Sequence, residues 1–158
     1  MAVRSVKAVR HDPLELLYNK EILALADAPG LTQRLDGAQA VVQRTSPLCG
    51  SRIELDLDLD EAGHVARYGQ TVKACTLGKA SAAILARHVL GASVAELRAM
   101  RDIVRAMLKE GAELPPNAWP ELRVLAPAKD FKSRHGSILL AFEAVTEAID
   151  RIEAGRAA

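Results

Sequence analysis

The chain has 158 residues, 49% hydrophobic and 26% charged, enough to bury one core and too few for two ordinary domains. Its 21 basic residues nearly cancel its 20 acidic ones, leaving a net charge of +1, so no bulk charge draws it to nucleic acid or to an anionic membrane. At 3% aromatic content it also lacks a platform on which bases could stack. No run of about 18 apolar residues occurs. The first thirteen positions carry Arg4, Lys7, Arg10 and His11 without the apolar stretch of a signal peptide. The expectation is one cytoplasmic domain over 1–158, with 1–12 a flexible tail. Cys49 and Cys75 are too few for a disulfide framework, and a reducing compartment makes them free thiols or metal ligands.

The elements follow in chain order. Leu14, Leu17, Ile22 and Leu25 recur at helical spacing behind Asp12-Pro13, which predicts a helix over 13–26 with an N-cap and a first-turn proline, ending near Pro29-Gly30. Ala40 to Thr45 supplies a first strand. Ile53, Leu55, Leu57 and Leu59 then alternate with Glu54, Asp56 and Asp58, the pattern of a strand with one buried and one wet face. The acidic residues, with Asp60, are expected to be solvated surface. Asp60-Glu61-Ala62-Gly63 offers a turn, and 64–72 a return strand.

After Val72 the period changes to about 3.6. Leu77, Ile84, Leu85 and Val89 mark a helix stopped by Gly91. Ser93 and Glu96 have capping-box spacing ahead of Leu97, Met100, Val104, Met107 and Leu108, with Gly111 the next stop. A loop carrying Pro115, Pro116, Pro120 and Pro127 leads to a last helix with Leu139, Phe142, Val145, Ile149 and Ile152. The order predicts an α+β domain: a small antiparallel three-stranded sheet with helices packed on one face.

Cys49 lies in the turn-forming string Ser46-Pro47-Leu48-Cys49-Gly50 between two predicted strands, and Cys75 where a strand gives way to a helix. A thiol at a helix start meets free amide N–H groups that favour the anionic sulfur used in metal ligation and sulfur transfer. A cysteine of this kind is also often a small buried hydrophobe. Lys73 and Lys79 flank Cys75. His64 and His88 have no such setting and are read as structural.

Ser46-Pro47-Leu48-Cys49-Gly50-Ser51-Arg52-Ile53 resembles the Asn-Pro-x-Cys-Gly-Asp segment of NifU/IscU-type iron–sulfur cluster scaffolds. Tyr68-Gly69, followed by Cys75-Thr76-Leu77-Gly78-Lys79-Ala80-Ser81, is similar to their second cysteine segment. The 26-residue step between the cysteines suits that family. Arg134-His135-Gly136-Ser137-Ile138-Leu139 resembles the family's His-Cys-Ser-Ile-Leu stretch, and the long interval before it, with Arg134, resembles the SUF-type variant. Ser51 stands at the family aspartate linked to cluster release and zinc binding, and Gly136 where a third cysteine is expected.

The resemblance implies the scaffold fold and a site of Cys49, Cys75 and His135 holding a labile iron–sulfur cluster or zinc, one coordination position being left open. It implies a non-enzymatic scaffold that receives sulfur from a cysteine desulfurase and passes its cargo to apo iron–sulfur client proteins, with no nucleic-acid or membrane partner. Two alternatives stay open: a regulatory homologue that keeps the fold without a cluster, and a persulfide or thiol relay on Cys49 and Cys75. No nucleophile–base–orienter set, phosphate loop or paired-carboxylate motif points to a conventional enzyme.

Overall fold

A computed structural model describes residues 17–48 and 50–157. Three strands, β1 (Ala40–Thr45), β2 (Arg52–Leu59) and β3 (Val65–Lys73), form an antiparallel sheet in the order β1-β2-β3. Around it stand α1 (Lys20–Asp27), α2 (Thr76–Val89), α3 (Val94–Glu110), a 3-10 helix (Pro120–Asp130) and the long α4 (Lys132–Ala157).

The alternation of β2 does what it predicts on one face. Ile53, Leu55, Leu57 and Leu59 are buried beneath α4, which crosses β1 and β2, while α2 lies against β3 and between α1 and α4. Alanine makes the second arrangement possible. Ala80, Ala82, Ala83 and Ala86 are all buried, so neighbouring elements can approach α2 closely from several sides. The core runs from Leu17 and Ile22 through the sheet to Phe142 and Ile149.

The other sheet face departs from the expected wet surface. Asp56 is 1% exposed because residues 31–35 run across it. Arg34 grips its carboxylate with two nitrogens at 2.6 and 2.7 Å and reaches Glu54 at 2.9 Å, and the Leu35 amide donates to Asp56 at 2.8 Å. The Arg34 guanidinium holds the Asp56 carboxyl below its ordinary value against the opposing effect of burial. Gly69 permits the crossing: a Cβ there would stand 2.5 Å from the carbonyl oxygen of Gln33. Asp60 remains at the open hairpin turn, as expected.

Two helical boundaries also differ. Helix α1 begins at Lys20, where the Asn19 side chain accepts from the Ile22 amide at 3.0 Å and opens the first turn as an N-cap. The Asp12-Pro13 signal lies outside the described residues. The proline-rich stretch is not simply a loop, since Pro120–Asp130 winds as a 3-10 helix with Pro120 in its first turn. The stops hold, with Gly91 and Gly111 at φ 82 and 67 and the Ser93 hydroxyl accepting from the Glu96 amide at 3.0 Å. The Glu96 carboxylate accepts from Trp119 Nε1 at 2.8 Å, tying α3 to the segment before the 3-10 helix.

Candidate functional site

Sheet register sets the site's position. Thr45 pairs with Arg52, and Arg52 with Lys73, so the 46–51 connection and the chain leaving β3 lie at the same end of the sheet. The connection is tight: the Ser46 amide donates to the Ser51 carbonyl at 2.7 Å and the Gly50 amide to the Ser46 carbonyl at 2.9 Å. Gly50 has φ 71, a left-handed turn that disfavours any side chain. Leu48 at its tip is 80% exposed. Cys49 lies outside the described residues.

Cys75 is the N-cap of α2, as the strand-to-helix switch predicts. Its side chain makes no capping hydrogen bond. The sulfur instead lies 3.2 Å from the hydroxyl of Ser137 on α4, and that hydroxyl lies 3.1 Å from the Ser51 hydroxyl. One buried serine therefore joins the thiol at the start of α2 to the loop that carries Cys49. Gly78 provides the space, because a Cβ there would stand 2.4 Å from the Ser137 oxygen.

His135 occupies the first turn of α4 and is 2% exposed. Its Nε2 lies 2.9 Å from the Ala128 carbonyl oxygen and 3.2 Å from that of Lys129. Carbonyls only accept, so Nε2 carries the proton, and in the neutral ring Nδ1 holds the lone pair. Nδ1 is buried and has no hydrogen-bond partner among the described residues. A nitrogen fixed by a carbonyl behind the ring and left free in front has the chemistry of a metal ligand. Among the described residues no three His, Cys, Asp or Glu side chains gather as a metal site.

Between His135 and Ser137, Gly136 lies inside α4 and outside the left-handed region. A left-handed backbone therefore does not account for the glycine. A Cβ at 136 would stand 2.7 Å from the Ser46 hydroxyl, so that hydroxyl occupies space a larger residue would need. The loop, the start of α2 and the start of α4 thus meet through small residues. In the sequence Ser46 and Ser137 are visible only as members of the strings around Cys49 and His135, because serine at such positions carries no periodic signal.

His64 and His88 make structural contacts. His88 stacks on Trp119 with centroids 4.5 Å apart and bonds Glu121 at 2.9 Å, and His64 bridges to Ser93 behind the hairpin. No helix among the described residues is long and apolar enough to cross a membrane.

A three-stranded antiparallel sheet flanked by helices, with a thiol, an imidazole and a tight loop at one end, has the architecture of the NifU-like scaffold class. The chain belongs to the NifU-like N-terminal domain family, whose sequence model matches residues 17–150. It is similar to the N-terminal crystal structure of a nitrogen-fixing NifU-like protein from Brucella abortus, at 38% identity and TM-score 0.87 over 90% of this chain and 99% of that one. The fold is shared with a putative iron–sulfur cluster assembly scaffold protein for the SUF system from Fervidobacterium islandicum AW-1, at 17% identity and TM-score 0.78 over 85% and 98% of the two chains. No curated protein matches the chain.

Proposed function

We propose that this protein is a cytoplasmic iron–sulfur cluster assembly scaffold that takes its cargo, a labile cluster or zinc, on Cys49, Cys75 and His135. Sulfur comes from a cysteine desulfurase, and the cargo leaves to apo iron–sulfur clients. The observation that carries the reading is the His135 ring, with Nε2 committed to the Ala128 carbonyl and Nδ1 buried without a partner among the described residues. A buried orphan acceptor costs about 1–3 kcal/mol, which a ligand would relieve. Two thiolates and one imidazole leave a fourth position for water, an exogenous thiol or a group from the receiving protein, which favours cargo that is released over metal that is kept.

The test is metal and sulfide analysis of protein purified without oxygen, beside Cys75→Ser and His135→Ala. A brown parent with iron and acid-labile sulfide, or zinc in a colourless one, lost in both variants, supports the reading. A parent with neither would sink it. Gly136 favours a second reading, a regulatory homologue with the scaffold fold and no cluster, because it offers no donor and its side-chain space is taken by Ser46. That reading expects an intact fold and no metal in the same assay.

A further inference from the structure

Ser137 is placed by more than helix packing. It is 1% exposed, its oxygen lies 3.2 Å from Cys75 Sγ and 3.1 Å from Ser51 Oγ, and Gly78 keeps its pocket clear. Each hydroxyl has one proton, and a ligating sulfur is anionic and can only accept. When Cys75 is a thiolate, both bonds stand together only with Ser137 donating to the sulfur and Ser51 donating to Ser137. The thiol makes no capping bond to α2 that would hold it otherwise.

Resting on the reading of Cys75 as a ligand, we propose that Ser137 is a positioning residue for that sulfur, and that Ser51 acts as the anchor that orients Ser137. Position 51 thus serves the site through a hydrogen bond to a second hydroxyl. Charge-assisted hydrogen bonds to anionic sulfur fix its direction and temper its donation to a metal.

The experiment is zinc competition against a chromophoric chelator, with cobalt(II) chloride titrated into the metal-free protein as a spectroscopic probe. Outer partners of ligands contribute roughly 10- to 100-fold to metal affinity. Ser137→Ala is expected to weaken zinc by about tenfold and to move the thiolate-to-cobalt charge-transfer band to longer wavelength, since the sulfur donates more freely. Ser51→Ala is expected to do less, and to add nothing in the Ser137→Ala background. Ser137→Thr, which keeps the hydroxyl, should return the band toward the parent. Thermal melts confirm that each variant is folded.

A folded Ser137→Ala with the parent's affinity and band, while Cys75→Ser loses both, overturns the positioning role and leaves the ligand reading standing. Independent, additive losses from Ser51→Ala and Ser137→Ala overturn the anchoring of one by the other. A parent with no thiolate-to-cobalt band removes the ligand reading and this inference with it.

Discussion

The sheet–helix core and the end of the domain around Cys75 use the same strands and helices but opposite materials. In the core, Leu55, Leu57, Ile84 and Phe142 are large and fully buried, and polar intruders are matched: the Gln70 amide reaches the carbonyls of Pro29, Gly30 and Ala82. Burial there pushes the Tyr68 hydroxyl far above its ordinary value, and the group simply donates to Gln70 at 2.9 Å. At the other end the builders are Gly78, Gly136, Ser46, Ser51 and Ser137, and one buried imidazole nitrogen lacks a partner among the described residues. Dense apolar packing leaves the core no unspent polar capacity. Small residues keep room at the other end, where the proposed cargo would meet the buried imidazole nitrogen left over among the described residues.

The contrast can be broken first in the core. Leu57→Ala removes a fully buried side chain and is expected to destabilise the fold by about 2–5 kcal/mol, with zinc affinity per folded molecule unchanged. Denaturant melts check the first part and chelator competition the second. A loss under about 1 kcal/mol would mean the strand faces are misassigned.

Next in size is the clamp on the outer face. Asp56→Asn removes the charge that Arg34 grips and is expected to lose about 2–3 kcal/mol, part of the pair's attraction being screened because Arg34 is partly exposed. The folded-state value of Asp56 is lowered, chiefly by the Arg34 hydrogen bonds, so the folded protein binds fewer protons there than the unfolded chain. Its contribution is therefore complete above the ordinary carboxylate value of about 3.9 and fades as pH falls below it. Parent and variant stabilities, measured by melts from pH 7 to pH 2, should converge at the acid end. Curves that stay parallel would remove Asp56 as the cause.

The smallest effects on the fold, and the most informative for the site, come from Gly136. Gly136→Cys adds a thiolate donor, but its Cβ meets the Ser46 hydroxyl, so the single variant is expected to gain little zinc retention. Gly136→Cys with Ser46→Ala removes the obstruction and should hold zinc through gel filtration better than either the parent or Gly136→Ala with Ser46→Ala. Equal retention in the two double variants would show that the added sulfur does not reach the metal.

Much of the core could be read from the sequence, because alternation in 53–59, the glycine stops and the Ser93 N-cap report directly on local backbone preference. The burial of Asp56 was hidden: a period of two shows that one face differs from the other and does not show that residues 31–35 cross the polar face. The 3-10 helix was masked by prolines that equally suit a loop, and the start of α1 at Asn19 by an apolar spacing that runs through it. At the proposed site, Cys75 is marked by the change of period where a strand gives way to a helix and by the family motif, whereas His135 is singled out by the family motif alone. Ser137 became visible only once α4 was laid against α2, since its partners are 62 and 86 positions away in the chain.

X-ray absorption at the zinc edge of the zinc-loaded protein reads out whether Cys49, Cys75 and His135 hold the metal together, as proposed. The expected first shell is two sulfurs at about 2.3 Å and two lighter atoms at about 2.0–2.1 Å, with imidazole scattering that disappears in His135→Ala. A shell of light atoms alone, or one unchanged in Cys75→Ser and His135→Ala, would contradict it.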